Sequence, residues 1–180
     1  MLKDLADTAL KDRNIMQVVR IEGPDDEWKN RLLPFFGHKG EKWRWQIDRT
    51  LTGGTEPLRS VYYAGLIEGG LAGTVCTFTY AGAGVFGHVY TDPNYRQKGV
   101  SSAILRIAMD DTRDLGIHAL FLTTDRPGHA RTMYEKEGFS PLNEFCREMA
   151  WYRDGELSFE KNFFAKADSS IRKLDWRDWG

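Results

Sequence analysis

The sequence has few cysteines and almost no excess of charge, and both shortages exclude classes of protein. Its 180 residues contain two cysteines, Cys76 and Cys146, and four histidines, so neither a disulfide framework nor a cluster of metal ligands is predicted. Lysine and arginine number 25 against 26 acidic residues, which argues against a nucleic-acid partner held by bulk charge. Two free thiols favour a reducing, cytoplasmic compartment.

Long apolar runs are also missing. No stretch approaches the roughly 18 residues that a membrane-spanning helix needs, and the first residues lack the apolar core of a signal peptide. Hydrophobic residues make up 41% and charged residues 28%, as in a folded domain. These features predict one globular, cytoplasmic domain without a membrane partner.

Hydrophobic spacing divides the chain into an antiparallel first half and an alternating second half. The spacing of Leu2, Leu5 and Ala9 predicts a first helix. Two β-rich runs on either side of Gly69-Gly70 predict a hairpin. The resulting expectation is an α+β domain, a mixed sheet with helices packed on it. The other predicted elements are strands near 16–21, 85–91, 118–123 and 145–151, and helices near 25–33, 43–51, 100–115 and 127–137.

Residues 91–101 form the most informative segment, where a predicted strand ends and a predicted helix begins. Amides at a helix start lack partners within the helix and favour anions. Gly99 has no Cβ, so a bulky anion can approach the backbone, while Ser101 offers a hydroxyl and Arg96 and Lys98 add positive charge. The pattern is consistent with a pyrophosphate-binding turn or with an ordinary charged turn, and spacing alone does not decide.

Residues 92–101, Asp-Pro-Asn-Tyr-Arg-Gln-Lys-Gly-Val-Ser, resemble the coenzyme A signature of the GNAT acetyltransferase superfamily. That signature is Arg or Gln, two residues, Gly, one residue, then Gly or Ala. Arg96 and Gly99 match it, and Ser101 departs from it. Residues 130–139, which include Tyr134, resemble the second motif of the family. The order and spacing of the two motifs agree with the family, and the resemblance covers about residues 16–152.

The resemblance implies a single N-acetyltransferase-like domain over residues 1–180, with a core at about 16–152 and a C-terminal extension at 153–180. The implied fold class is α/β (α+β), a mixed, mostly antiparallel central sheet flanked by helices. Strands 85–91 and 118–123 would splay into a V that holds acetyl-CoA. The implied coenzyme contacts are Val89, Tyr90, Thr91, Arg96, Gln97, Lys98, Gly99, Val100 and Ser101.

Tyr134 matches the tyrosine that in relatives often protonates the departing thiolate of coenzyme A. A phenol suits that role because its unperturbed pKa is about 10, so it remains protonated at neutral pH. The alternative is that Tyr134 is a packing residue on an amphipathic helix, beside Met133.

The general base is not identified by the resemblance. Relatives often carry Glu or His at positions that here hold Val85 and Gly87, which cannot titrate. His88 lies on the same strand, but alternation directs it to the opposite face unless a bulge redirects it. The remaining alternatives are Glu56, His38, another loop residue and bulk water.

The function implied is acetyl transfer from acetyl-CoA to an amine of a small molecule or peptide, directly within a ternary complex. No metal and no further cofactor are implied. A non-catalytic acyl-CoA-binding module, or acyl-CoA chemistry other than N-acetylation, remains open. The aromatic residues of the first half either form a wall for the acceptor or pack on the sheet. They are Trp28, Phe35, Phe36, Trp43 and Trp45.

Three features outside the main motifs carry further expectations. Pro127 replaces an Asn that relatives often have, which removes an amide donor. Arg126 and Arg131 either contact the 3′-phosphate of the coenzyme or are solvated helix charges. Trp176 and Trp179 are predicted to dock on the body of the protein or on a second copy in a homodimer.

Overall fold

The chain folds around one eight-stranded sheet with helices on both faces, as seen in a computed structural model that describes residues 1–53, 55–125, 128–143 and 145–164. The strands are β1 (Leu2–Ala9), β2 (Ile15–Glu22), β3 (Arg59–Ile67), β4 (Gly70–Tyr80), β5 (Ala83–Thr91), β6 (Ala119–Thr123), β7 (Ser140–Pro141) and β8 (Glu148–Tyr152). The helices are α1 (Asp26–Phe35), α2 (Glu41–Thr52), α3 (Val100–Asp114), α4 (His129–Lys136) and α5 (Glu156–Phe164), with a 3-10 turn at Pro93–Tyr95.

The sheet has the order β1-β2-β3-β4-β5-β6-β8-β7, and β5 and β6 are its parallel pair. Their pairing joins Ala83–Val85 to Ala119–Phe121. Beyond it, the segment of β5 from Phe86 to Thr91 has no strand partner on that side among the described residues. The predicted fold class, with a V between these two strands, is therefore confirmed.

Residues 2–9 form an edge strand, so the predicted first helix is wrong. β1 pairs antiparallel with β2, and the register shifts between Asp4 and Ala6. The shift breaks strict alternation, and Leu5 and Ala6 are both half-buried. An irregular strand of this kind imitates helical spacing, which explains the error. The other predicted helices and strands lie close to where the sequence places them, whereas α5 was not predicted.

Helix α3 packs closely against the sheet because glycines lie beneath it. A Cβ on Gly73 would come within 2.6 Å of Val100 Cγ1, and one on Gly65 would come within 2.8 Å of Ile104 Cδ1. Side chains at these positions would push the helix outward. The close packing brings the N-terminus of α3 to the end of β5.

A buried ion pair connects α3 to the sheet. The Arg20 guanidinium on β2 donates to both carboxylate oxygens of Asp111 on α3, at 2.9 and 3.1 Å. The Tyr63 hydroxyl donates to the same carboxylate at 3.0 Å, and Arg20 also lies 3.1 Å from Glu22. Because a buried charge without a partner is strongly unfavourable, this network fixes the position of α3 on the sheet.

Three predictions concern residues outside the described part of the chain: the loss of a donor at Pro127, the role of Arg126, and the docking of Trp176 and Trp179. Within the described part, the helices are all too short or too polar to cross a bilayer. The same residues contain no group of three His, Cys, Asp or Glu side chains placed as metal ligands.

Candidate functional site

The turn between β5 and α3 presents backbone amides outward. Asp92 begins it by accepting a hydrogen bond from the amide of Asn94 at 2.9 Å. Gln97 and Gly99 then adopt left-handed backbone conformations, with φ of 63° and 90°. Gly99 is the N-cap of α3 and provides no side-chain cap, so the first amides of the helix lack partners within it. This geometry is suited to binding an anion at the positive end of a helix dipole.

Two contacts attach this turn to the end of β5. The hydroxyls of Thr91 and Ser101 share a short hydrogen bond. Arg96 donates from Nε to the Thr91 carbonyl at 3.4 Å, although its side chain is otherwise exposed. The strand that would carry an acyl arm and the turn that would carry its phosphates are therefore held together.

Most of the predicted site residues line one cavity of about 680 Å³. It lies where β5 leaves β6 and is bounded by the turn and by α4. Lys98 is the predicted coenzyme contact that does not line it. The residues brought together are Val89, Tyr90, Thr91, Arg96, Gln97, Gly99, Val100, Ser101 and Tyr134.

Lys98 directs its side chain to the turn between β1 and β2. Its ammonium lies 3.1 Å from Asp12 Oδ2 and 5.2 Å from the centre of the Tyr95 ring. The hydrogen bond from Lys98 lowers the pKa of the Asp12 carboxyl. The charge of Lys98 is therefore directed toward Asp12 rather than toward the outward amides of the turn.

Lys11 is a cavity residue that the sequence does not reveal. Its amide donates to the Lys98 carbonyl at 3.1 Å, and its side chain passes 3.7 Å from the place of a Cβ on Gly99. No ion pair involves its ammonium in the part of the chain that the structure describes. The contact was not predicted for two reasons. The sequence reading places a helix where β1 lies, and Lys11 is about 90 residues from the turn along the chain. The other lining residues that were not predicted are Tyr95, Ser102, His129, Ala130 and Met133.

Tyr134 is both a packing residue and a cavity residue. Its ring makes edge-to-face contacts with Phe86 and Phe139, each at 5.9 Å between centroids. Only 8% of the residue is exposed, and this burial raises the pKa of the phenol to about 12. The hydroxyl is therefore protonated throughout the neutral and moderately alkaline range.

A bulge in β5 turns His88 toward helices α1 and α2. The register between β4 and β5 shifts between Thr74 and Cys76, and His88 has a φ of 49°. The orientation predicted from strict alternation is therefore wrong, because the bulge adds one residue to the strand. Burial, assisted by the charge of Lys39, lowers the pKa of His88 to about 4. The ring contacts of His88, by centroid distance, are Trp43 at 5.4 Å and Phe36 and Phe78 at 5.8 Å.

An aromatic wall surrounds His88 and reaches the cavity through Tyr90. The wall consists of Phe35, Phe36, His38, Trp43 and Tyr90. Tyr90 lines the cavity, while His38 stacks on its ring at 3.9 Å and Phe35 meets it edge-on at 5.1 Å.

The other candidates lie elsewhere. Trp28 is 3% exposed and packs in the core beneath α1, and Trp45 is an exposed residue of α2. Arg131 is paired with Glu135 on its own helix at 3.0 Å, as expected of a solvated helix charge. Glu56 is exposed and lines neither the cavity nor the wall.

Comparison with known proteins supports the resemblance. A GNAT acetyltransferase domain model matches residues 59–141, which contain β5, the turn, α3 and most of the cavity. No curated protein matches the sequence.

Solved structures show the same fold at low identity. The GNAT domain of S. lividans PAT is 16% identical with a TM-score of 0.61, over 82% of this chain and 96% of that one. A GNAT-family acetyltransferase from Staphylococcus aureus Mu50 is 14% identical with a TM-score of 0.58, over 75% and 98%. PaiA N-acetyltransferase from Thermoplasma acidophilum, solved in complex with coenzyme A, is 16% identical with a TM-score of 0.55, over 76% and 98%.

Proposed function

We propose, from the premise that this chain carries a GNAT acetyltransferase domain, that it transfers an acetyl group from acetyl-CoA directly to an amine. One observation carries the proposal. A single cavity brings together the outward amides of the turn, the free edge of β5 and the buried phenol of Tyr134. These are the parts needed to hold a diphosphate, align an amide-containing arm and protonate a thiolate.

The coenzyme would be held mainly by backbone groups. Its diphosphate would accept hydrogen bonds from amides between Gln97 and Ser101, with Arg96 and Lys11 adding positive charge. The pantetheine arm carries two amides and would pair with the free edge of β5 at Val89–Thr91. Gly99 supports this fit, because its missing side chain leaves the turn open to a bulky anion.

The chemical step needs one proton removed and one supplied. The amine nitrogen attacks the thioester carbonyl carbon, the carbon–sulfur bond breaks, and an amide bond forms. Tyr134 supplies a proton to the departing thiolate. Neutral His88, beside Val89 on the bulge, accepts the proton that the attacking amine loses, directly or through water.

A non-catalytic acyl-CoA-binding module is the second candidate. Val85 and Gly87 provide no carboxylate on the cleft strand, and His88 is a weak base because of its low pKa. A module of this kind would bind acetyl-CoA with the same residues and release no thiol.

The test is thiol release from acetyl-CoA across a panel of amines, with Tyr134→Phe as the critical variant. Loss of the phenolic proton should lower kcat by about 100-fold, in the range of a general acid, while calorimetry shows coenzyme affinity within about twofold of the original. Tyr152→Phe, on β8 and outside the cavity, should leave both unchanged. Binding without turnover of any amine would favour the module, and unchanged kcat in Tyr134→Phe would remove the assigned acid.

A further inference from the structure

Aromatic rings, with the cations Lys39 and Arg96 near them, border the cavity on the side proposed to receive the acceptor. The aromatic wall follows the face of β5 opposite to Tyr134 and meets the cavity at Tyr90. Its outer members are accessible, since Trp43 is 49% exposed and His38 is also exposed. A flat apolar group that enters from solvent could therefore pack against these aromatic rings. It would then lie beside the proposed position of the acetyl group of acetyl-CoA.

Lys39 is a cation beside this wall without a counter-ion among the described residues. Its Nζ lies 5.6 Å from the centre of the Phe36 ring, and the residue is half-buried. No carboxylate forms an ion pair with it within the described ranges, and burial lowers the pKa of its ammonium. A partly desolvated charge of this kind gains most from a ligand that brings an anion.

The charges that act on His38 in the wall and on His88 beside it are positive. Lys39 lowers the pKa of His88, and Lys39 and Arg96 both lower that of His38, in each case after burial itself. A simple alkyl ammonium would be repelled here. An acceptor that also carries a carboxylate would neutralise Lys39 while its amine reaches His88.

We propose that the acceptor is a small amine carrying a carboxylate and an aromatic side chain, an aromatic α-amino acid being the simplest example, and that Lys39 binds its carboxylate against the aromatic wall. This inference rests on the proposed acetyl transfer and specifies its substrate class. Binding of the carboxylate by Lys39 would favour amino acids over simple amines. Contact with the aromatic wall would favour aromatic amino acids over other amino acids.

The experiment compares L-phenylalanine and L-tryptophan with phenethylamine and tryptamine, which lack the carboxylate. We expect kcat/KM at least tenfold higher for the amino acids, in the range of a charge-assisted hydrogen bond. Lys39→Met should raise KM for L-phenylalanine about tenfold and leave KM for acetyl-CoA unchanged, while Lys39→Arg should restore part of the loss. Lys42→Met is the matched control, since Lys42 is exposed and lies 6.0 Å from the Trp43 ring.

Calorimetry of L-phenylalanine with the coenzyme A-bound protein separates failure of this inference from failure of the proposed function. Equal turnover of L-phenylalanine and phenethylamine, or equal loss of both in Lys39→Met, overturns the substrate class and leaves the transferase intact. Binding of L-phenylalanine that depends on Lys39, without product, supports the class and overturns the transferase. Neither binding nor product with any of the four amines overturns the substrate class, and the transferase falls with it only if no amine of the wider panel releases thiol.

Discussion

His88 owes its position to one additional residue in a strand. Without the bulge, its ring would point to the side of Phe86 and Tyr134, into the core beneath α3 and α4. With the bulge, it lies among the aromatic rings of α1 and α2, where water is scarce and Lys39 is close. A polar ring in such a place remains neutral, which suits a proton acceptor but weakens the protein in acid.

The acid dependence of stability should therefore report on His88. Its pKa is about 4 in the folded protein and about 6.5 in the unfolded chain. Between these values the unfolded chain binds a proton that the folded protein does not, so the free energy of unfolding falls as pH decreases from 6.5 to 4. Allowing for partial exposure, we expect a contribution of about 1–3 kcal/mol.

Urea unfolding at pH 7 and pH 4.5 measures this contribution. His88→Gln should reduce the difference in unfolding free energy between the two pH values. His118→Gln, at an exposed position, is the control for the substitution itself. An unchanged difference in His88→Gln would show that the ring titrates normally.

The predicted residues that line the cavity belong to segments with a local signal in the sequence. Arg96, Gly99 and Ser101 belong to one short turn, and the resemblance of this turn to a family motif, rather than its spacing alone, marks them as candidates. Lys11 was missed because it reaches the cavity through a contact distant in sequence, and Lys39 because its proximity to His88 depends on how α1 packs on the sheet. Neither residue belongs to a sequence motif from which its position could be predicted.

Helix α3 has a glycine in a left-handed conformation at each end. Gly99 precedes its first residue with φ of 90°, and Gly116 follows its last turn with φ of 74°. A side chain at either place is strained by about 1–2 kcal/mol. The two positions differ in their surroundings, since Gly99 lines the cavity and nothing lies within 4 Å of a Cβ on Gly116.

Because the two glycines share a backbone conformation and differ in their surroundings, a pair of variants can separate an effect on coenzyme binding from an effect of backbone strain. Gly99→Glu should abolish measurable coenzyme A binding, because a carboxylate would occupy the place of the diphosphate and repel it. Gly116→Glu should lower the midpoint of thermal unfolding to a similar extent and leave binding unchanged. Calorimetry with coenzyme A and a thermal melt of each variant measure both effects. Full affinity in Gly99→Glu would remove the turn from the binding site.

The secondary structure was predictable wherever the spacing of the hydrophobic residues agreed with the glycines and prolines that mark the ends of elements. Helices α1 and α3 and the β3–β4 hairpin have clean spacing and clear stop signals. β1 was misread because its bulge disturbs the two-residue period on which a strand is recognised. The same kind of irregularity in β5 hid the orientation of His88, so both errors come from bulges.

The stability of the whole molecule should depend on the ion pair between Arg20 on β2 and Asp111 on α3. Asp111→Ala would leave the Arg20 guanidinium buried without its main partner, so the free energy of unfolding should fall by about 3–5 kcal/mol. Asp110→Ala, in the adjacent exposed pair with Arg113, should change it by less than about 1 kcal/mol. Urea denaturation measures both variants.

A double variant tests whether charge is needed there. Arg20→Met with Asp111→Leu removes both charges together, and we expect it to recover most of the stability lost in Asp111→Ala. Recovery would show that the pair serves alignment of α3 more than stability. Continued loss would show that its hydrogen bonds are indispensable.

The open side of β5 has a consequence for handling the protein. From Phe86 to Thr91 the strand has no strand partner on this side among the described residues, in the middle of a sheet where a neighbouring strand would ordinarily pair with it. An unpaired strand edge of this kind, here called the seam, can form backbone hydrogen bonds with an extended peptide, including one from another molecule. A thioester carrier that fills the seam would act as a protective cover, so purification and storage are best done with coenzyme A in the buffer.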